Sequence, residues 1–167
     1  MRIGIDFDRV IIDTDELDKQ IKEETGLCHV EADVFDEQGN YSPRKHAEAC
    51  GVDVEEVCNQ LEDITEFVYD DVDELEQLGP EYDLVLVTRG RKEYQKRKLD
   101  RADVKHLFDE IYILPESLEE RPKDDSTGID FLVDDLEEEV ERVDVPGMVF
   151  DREEQSMQDV VDRVEEL

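Results

Sequence analysis

Short apolar runs alternate with helical patterns at the start of the chain and through its second half. Runs of this kind are typical of strands that are buried on both faces of a parallel sheet. The predicted strands cover residues 3–5, 82–88, 110–114, 129–133 and 147–150. The helices predicted between and after them cover residues 71–78, 92–103, 136–143 and the C-terminal end. Because parallel strands need crossover connections, this alternation predicts an α/β fold with a Rossmann-like parallel sheet.

A mainly helical insertion, residues 14–67, follows the first strand. Capping and stop residues predict three helices in it, which begin at Thr14, Ser42 and Asp53, and of which the first two stop at Gly26 and Gly51. Apolar residues at helical spacing extend the third helix to about Val68. Residues 27–41 predict only a loop or a short irregular hairpin. Residues 1–13 and 68–167 then form the sheet-containing domain.

The charge of the chain is strongly negative. Its 167 residues contain 51 Asp and Glu against 19 Lys and Arg, which gives a formal net charge of −32. Such an excess repels nucleic acid and anionic membranes, so we expect neither as a partner. Because the acidic residues are spread along a chain that keeps its apolar periodicity, we interpret them as the solvated surface of a halophilic protein. The alternative, an acidic interaction tail, requires the charge in one block.

The cysteines and the hydropathy pattern bear on the location of the protein. Cys28, Cys50 and Cys58 are odd in number and form no Cys-x-x-Cys pair, which favours a reducing compartment. The chain has no apolar stretch near the roughly 18 residues of a membrane span and no signal-peptide pattern at its start. The sequence therefore predicts a cytoplasmic protein.

Four residues of the insertion have side chains that can bind zinc. They are Cys28, His29, His46 and Cys50, the last two at the spacing of one helical turn. The alternative is that the cysteines are small core residues, as free cysteines commonly are. We favour this alternative, because paired Cys-x-x-Cys spacing is absent.

Acidic, hydroxyl and amino side chains stand near the carboxyl ends of the predicted strands. Asp6 and Asp8 follow the first strand, where carboxylates are costly unless they are paired or bind a metal. The competing interpretation is chance, because the chain is rich in Asp. The other residues are Thr88 at the end of the second strand, Asp134 and Asp135 after the fourth, and Lys123 in the loop before it. Parallel strands bring such ends together, and these groups suit a magnesium-bound phosphate monoester.

The order of these residues resembles the motifs of the haloacid dehalogenase (HAD) superfamily of phosphohydrolases. Residues 3–10 match the first motif, an apolar strand followed by Asp-x-Asp-x-Thr/Val. Residues 84–88 match the second motif, an apolar strand that ends in Thr or Ser. Lys123 looks like the lysine of the third motif, and residues 131–135 match the fourth, an apolar strand that ends in two acids. The resemblance covers almost the whole chain, and residues 14–67 look like the small, helical C1-type cap of the family.

This resemblance implies a Mg²⁺-dependent phosphatase that acts on a small phosphorylated substrate through an aspartyl-phosphate. Asp6 is implied to attack phosphorus, and Asp8 to protonate the leaving alcohol and then to activate water. The implied Mg²⁺ ligands are Asp6, the Asp8 carbonyl, Asp134 and Asp135, and the implied phosphate contacts are Thr88 and Lys123. Asp8 argues against dehalogenation, since the dehalogenases of the family generally lack this acid.

Two basic residues complicate the match. Arg9 stands where the family usually has Gly or another small residue, and two interpretations are open: Arg9 contacts substrate anions, or it obstructs the pocket. Lys98 competes with Lys123 for the third motif, but it lies in the middle of a predicted helix, where a lysine is more often solvated. We therefore assign the motif to Lys123. The alternatives to a phosphatase are a sugar-phosphate mutase of the same family and a non-catalytic binding module that Arg9 blocks.

A basic segment follows Thr88. Seven of the 19 basic residues lie between Arg89 and Arg101, where they could attract an anionic substrate. The alternative, which we favour for most of them, is a helix that pairs them with acidic neighbours. Arg89 and Arg91 lie nearest to Thr88 and are the exceptions. We predict that Arg89 contacts the substrate.

Overall fold

A parallel sheet forms the centre of the computed structural model, which describes residues 1–25, 34, 42–79, 81–114 and 121–167. Within these ranges, five strands form one sheet in the order β3-β2-β1-β4-β5, and all neighbours are parallel. The strands are β1 (Arg2–Ile5), β2 (Asp83–Arg89), β3 (Glu110–Leu114), β4 (Phe131–Asp134) and β5 (Gly147–Val149). The predicted α/β Rossmann-like sheet is thus confirmed.

Both faces of the sheet are covered, which explains the continuous apolar runs. In β2, Leu84 and Leu86 belong to one hydrophobic cluster, and Val85 and Val87 belong to another on the opposite face. All four side chains are buried. A strand that packs on both faces must be apolar at successive positions rather than at alternate ones, and this is the pattern from which β2 was predicted.

Helices connect the strands and carry the predicted caps. In the described part of the chain they are α1 (Thr14–Thr25), α2 (Pro43–Cys50), α3 (Val54–Asn59), α4 (Lys92–Ala102), α5 (Glu137–Arg142) and α6 (Met157–Glu165). Ser42 caps α2 by accepting a hydrogen bond from the Lys45 backbone N–H, and Gly51 ends it with a φ of 68°. None of these helices has the length and apolar character that a membrane crossing requires.

Three predicted features of the helical segments are wrong in detail. The third helix of the insertion ends at residue 59 instead of near 68, and a 3-10 helix, Thr65–Phe67, follows a turn. Asp63 accepts a hydrogen bond from the Thr65 hydroxyl at 2.9 Å, and such local bonds compete with the α-helix. The predicted helix over 71–78 is a 3-10 helix, Val72–Gln77. Helical spacing therefore identified Val57, Leu61 and Ile64 as buried residues, but it did not show that the helix is continuous.

The third correction concerns the start of α1. The cap of α1 is Asp13, whose Oδ1 accepts a hydrogen bond from the Glu16 backbone N–H at 3.0 Å. Thr14, the predicted cap, instead donates its hydroxyl hydrogen to Asp8 at 2.6 Å. The helix begins where the sequence predicts, but the hydroxyl of Thr14 is directed to the end of β1.

The two segments that join the insertion to the sheet lie side by side. Ile12 and Val68 form an antiparallel bridge, and the Asp13 backbone N–H donates to the Phe67 carbonyl at 2.7 Å. Buried side chains of the insertion share one hydrophobic cluster with a face of the sheet. The division into a core domain and a cap at residues 14–67 stays a prediction. The loop predicted for residues 27–41 lies outside the described residues, apart from residue 34.

Candidate active site

The carboxyl ends of β1, β2 and β4 meet at one edge of the sheet. Asp6 directly follows β1, Thr88 belongs to β2, and Asp134 ends β4. Because β1 lies between β2 and β4, these three residues are neighbours, and all three are buried. From β1 the chain adds β2 and then β3 on one side, and it then returns to place β4 on the other side of β1. Ligands bind at such switch points in open α/β sheets.

Lys123 reaches this edge from the loop before β4. Its Nζ donates to Asp6 Oδ1 at 2.6 Å and to Asp134 Oδ2 at 2.5 Å, and the residue is only 2% exposed. The hydroxyl of Thr127 donates to the Lys123 carbonyl at 2.5 Å, which supports the loop. Burial lowers the pKa of Lys123, but the two carboxylates outweigh this effect and the net shift is upward. A charged lysine therefore bridges the first and fourth motifs.

Asp6, Asp134 and Asp135 form an acidic group, which we call the Asp6 cluster. Each offers one oxygen, and the three oxygens lie within 4.8 Å of one another. Burial raises the pKa of Asp6 well above its usual range; neighbouring carboxylates add to the rise and Lys123 opposes it. Burial, and then repulsion by Asp134, raises the pKa of Asp135 to about 6. Crowded carboxylate oxygens that repel one another fit a hard divalent cation such as Mg²⁺.

The carboxylate of Asp8 has a separate set of partners, which we call the Asp8 holder. Thr14 donates to Oδ1 at 2.6 Å, Lys98 also bonds to Oδ1, and Gln95 donates to Oδ2 at 2.6 Å. Burial raises the pKa of Asp8, but the charge of Lys98 and these hydrogen bonds outweigh burial and lower it. The side chain of Asp8 is therefore outside the Asp6 cluster, and a metal contact by Asp8 would come from its backbone carbonyl.

Known structures that resemble this chain share one fold. No protein-family model and no curated protein matches the sequence. A predicted HAD-like family hydrolase from Porphyromonas gingivalis aligns with a TM-score of 0.59 and 16% identity, over 98% of this chain and 96% of that one. A predicted phosphatase from Clostridium acetobutylicum aligns with a TM-score of 0.59 and 16% identity, over 99% and 98%. The chain has a HAD-like fold.

The HAD-like fold is not tied to one reaction. An L-2-haloacid dehalogenase from Xanthobacter autotrophicus aligns with a TM-score of 0.52 and 10% identity, over 83% of this chain and 71% of that one. At these identities the likeness concerns the fold, so activity must be argued from the site. The resemblance found in the motifs is confirmed at that level.

Within this HAD-like fold, the predicted motif residues come together. They are Asp6, Asp8, Thr88, Lys123, Asp134 and Asp135. Gln95 joins the first two motifs, because its Nε2 lies 2.6 Å from Asp8 Oδ2 and 3.2 Å from Thr88 Oγ1. The catalytic, phosphate-binding and metal-binding roles of these residues stay predictions.

Arg9 has a left-handed backbone conformation, with a φ of 60°. Positive φ favours Gly, which gives a physical reason for the small residue in the family pattern. The Arg9 guanidinium pairs with Asp15 at 2.8 Å and lies 3.8 Å from Asp135, and the side chain is 48% exposed. Its charge is thus directed to α1 and to the edge of the Asp6 cluster. Substrate contact and obstruction both stay hypotheses.

Arg89 has partners within the protein. Its Nε pairs with Glu139 Oε1 at 2.8 Å, and its Nη2 donates to the Arg121 carbonyl at 2.9 Å. These contacts connect the end of β2 to α5 and to the loop that carries Lys123. Arg89 therefore has a structural role in the site, and its contact with substrate stays a prediction.

Gln95 is a site residue that the sequence interpretation missed, and Lys98 is one that it weighed for the third motif and set aside. Lys98, which was predicted to be solvated, is 2% exposed, so that prediction is wrong. The physical reason lies in α4, whose buried residues are Gln95, Lys98, Leu99 and Ala102. Leu99 and Ala102 mark the inward face of this helix, and Gln95 and Lys98 share it by helical spacing. The signal available in the sequence was that Gln95 and Lys98 share a helical face with the apolar residues Leu99 and Ala102.

Two of the four residues named for zinc, His46 and Cys50, lie within the described residues. Cys28 and His29 lie outside the described residues. His46 is buried and Cys50 is half-buried. In the part of the chain that the structure describes, only the Asp6 cluster brings three metal-binding side chains together.

Proposed function

We propose that the protein is a Mg²⁺-dependent phosphohydrolase that cleaves a small phosphate monoester through a phosphorylated Asp6. The observation that carries this proposal is the separation of two carboxylates at one strand end. Asp6 belongs to an acidic cluster that fits a divalent cation, whereas Asp8, two residues later, is held outside it by three donors. One acid is suited to attack beside a cation, and the other to exchange protons.

The substrate phosphate would lie between the cationic and hydroxyl groups of this edge. Thr88 would donate a hydrogen bond to a phosphoryl oxygen, and Lys123 would offset its negative charge. Asp6, Asp134 and Asp135, with the Asp8 carbonyl, would hold Mg²⁺. When bound, this ion supplies positive charge that keeps Asp6 ionised and weakens its repulsion with the phosphate.

Two displacements at phosphorus complete the reaction. An oxygen of Asp6 attacks phosphorus, the bond to the ester oxygen breaks, and the leaving oxygen takes the proton of Asp8 to become an alcohol. Asp8, now a carboxylate, takes a proton from water while the water oxygen attacks phosphorus. The bond between phosphorus and Asp6 breaks, which restores the Asp6 carboxylate, releases phosphate and leaves Asp8 protonated.

Asp8 favours phosphate-ester cleavage over dehalogenation, although a dehalogenase shares the fold. A halide leaves as a stable anion and needs no proton, whereas an alkoxide is a poor leaving group unless an acid protonates it. Departure of the leaving group therefore needs an acid beside the nucleophile in a phosphatase and none in a dehalogenase. The ion pair between Arg9 and Asp15 also favours a catalytic site over a binding module that Arg9 blocks.

The test is hydrolysis of p-nitrophenyl phosphate with Mg²⁺, at molar salt because a net charge of −32 repels itself at low ionic strength. We expect turnover with release of inorganic phosphate, loss of turnover when EDTA removes the metal, and loss in Asp6→Asn. Release of phosphate also separates hydrolysis from the mutase alternative, in which a sugar hydroxyl accepts the phosphoryl group. Absence of turnover with a panel of phosphate esters, or equal rates in Asp6→Asn and the wild type, would contradict the proposal.

A further inference from the structure

We infer that Gln95 and Lys98 are positioning residues that orient the Asp8 carboxylate, so that its Oδ2 is the oxygen that exchanges the proton. This inference rests on the proposed function, because orientation of Asp8 matters only if Asp8 transfers protons. It assigns a role to the inward face of α4 rather than to one of the four motifs.

The two carboxylate oxygens of Asp8 accept different numbers of hydrogen bonds. Oδ1 accepts from both Thr14 and Lys98, whereas Gln95 is the one donor to Oδ2 among the described residues. A carboxylate oxygen has two lone-pair directions. Both lone pairs of Oδ1 therefore accept hydrogen bonds, whereas one lone pair of Oδ2 remains. At that lone pair, Oδ2 can hold a proton for the leaving group or take one from water.

Lys98 is fixed as well as charged. Its side chain is 3% exposed, and its Nζ lies 5.4 Å from the centroid of the Phe7 ring and 5.3 Å from that of Tyr94. Cations at these distances from aromatic rings are attracted by the ring quadrupole. Phe7 lies between the two acids in the chain and is fully buried, so the ammonium group and the strand end are held by the same core.

Gln95 connects Asp8 to the end of β2. Its Nε2 also donates to the Arg89 carbonyl at 2.7 Å. That carbonyl and the ionised Asp8 carboxylate can only accept hydrogen bonds, so the amide nitrogen faces them. Within the described structure its Oε1 is buried without a hydrogen-bond partner, which an amide free to turn would avoid. Gly90 leaves room for it, because a Cβ there would lie 2.9 Å from Gln95 Cγ and Nε2.

The Asp8 holder and the Asp6 cluster use different residues. Among the hydrogen bonds described, those of Gln95 and Lys98 go to Asp8 and the end of β2, and those of Lys123 go to Asp6 and Asp134. Loss of Gln95 or Lys98 should therefore impair proton transfer and leave the nucleophile in place.

The experiment compares two leaving groups in Lys98→Met and Gln95→Leu. p-Nitrophenolate leaves from its phosphate ester without a proton, whereas the alkoxide of glycerol phosphate requires one. The quantity measured is kcat/KM, which covers the steps through alcohol release and excludes hydrolysis of phosphorylated Asp6. Lys96→Met is the matched control, because Lys96 lies on the same helix and is exposed.

We expect kcat/KM to fall about tenfold or more further with glycerol phosphate than with p-nitrophenyl phosphate in both variants, since general acid catalysis is worth about 10²–10⁴-fold. Lys96→Met should match the wild type with both esters. Equal losses with the two esters, or no loss, would overturn the inference and leave Gln95 and Lys98 a structural role. If Lys98→Met does not fold, Gln95→Leu decides by the same criterion. A wild type that hydrolyses neither ester would overturn the proposed function, and this inference with it.

Discussion

Asp6 and Asp8 are separated by one residue, yet the fold places their carboxylates in opposite electrostatic surroundings. Burial and neighbouring carboxylates raise the pKa of Asp6, whereas at Asp8 burial is outweighed by Lys98 and the pKa is lowered. Acids whose surroundings shift their pKa values apart are typical of catalytic pairs. A repeated acid in a sequence therefore acquires its chemistry from its neighbours in space, here Lys123 for Asp6 and Lys98 for Asp8.

The directions of these two shifts are the reverse of what the proposed reaction needs. Attack requires an ionised Asp6, and protonation of the leaving group requires a protonated Asp8. A cation in the Asp6 cluster lowers the pKa of Asp6, and the negative charge of a phosphate raises that of Asp8. Under the proposed function, the two acids therefore take their working protonation states only when the site is loaded.

Replacing Asp6, the proposed nucleophile, should cause the largest loss of activity. We expect Asp6→Asn to lower kcat about 10⁴-fold or more with any phosphate ester, as loss of a catalytic nucleophile does elsewhere. Stopped-flow measurement with p-nitrophenyl phosphate should show no burst of nitrophenolate, because an amide forms no phosphoenzyme. The control is Asp15→Asn, which changes an exposed partner of Arg9. A burst in Asp6→Asn would place the nucleophile elsewhere.

Asp8→Asn should give a different kinetic signature. Steady-state kcat should fall about 10²–10⁴-fold, which is the usual contribution of a general acid or base. A burst of nitrophenolate should remain, because this leaving group needs no proton and only the later attack by water is impaired. Loss of the burst as complete as in Asp6→Asn would remove the distinction between the two acids.

Replacing Lys123 and replacing Lys98 should lower the free energy of unfolding by different amounts. Lys123→Met leaves Asp6 and Asp134 buried without their cation, and breaking a buried ion pair costs about 3–5 kcal/mol of the free energy of unfolding. Lys98→Met should cost less, because the Asp8 side chain is 22% exposed and keeps Thr14 and Gln95. Urea denaturation of both variants, with Lys96→Met as control, measures the difference. Equal losses would mean that the two surroundings are not distinct.

Added Mg²⁺ should stabilise the folded protein by binding at the Asp6 cluster and not at the Asp8 side chain. With Mg²⁺ at about one hundred times its dissociation constant, the free energy of unfolding should rise by about 2.7 kcal/mol. The rise should shrink in Asp135→Asn, which removes a member of the cluster, and persist in Asp8→Asn, whose side chain lies outside it. Thermal unfolding with and without Mg²⁺ measures this. An equal loss of the effect in Asp8→Asn would contradict the assignment.

The smallest effect is expected at Arg9, which touches the edge of the cluster. Its φ of 60° disfavours any residue with a Cβ by about 1–2 kcal/mol, and its exposed ion pair is worth at most about 1 kcal/mol. Arg9→Gly should therefore be close to the wild type in the free energy of unfolding, and Arg9→Ala about 1 kcal/mol less stable than Arg9→Gly. The KM of these variants separates the two hypotheses: a rise indicates substrate contact, and a fall indicates obstruction.

Features that depend on a few consecutive residues were predicted well. The strands followed from apolar runs, and α2 followed from Ser42 and Gly51, because caps and buried faces are decided by local geometry. The Asp6 cluster also followed, since the ends of parallel strands must meet at one edge. The extent of α3 was missed, because local hydrogen bonds after residue 59 compete with the helix at a cost too small to read from apolar spacing.

The chain by itself determined the α/β fold and the acids that can form a site at its edge. Only the tertiary structure decided which cation serves which acid. Lys98 stands 90 residues from Asp8 in the sequence, and helical spacing places it on an inward face without saying what that face meets. A buried ammonium group is costly unless it is paired with an opposite charge and hydrogen-bonded, as Lys98 is with Asp8. Because that pairing depends on distance and burial, it exists only once α4 has packed against the end of β1.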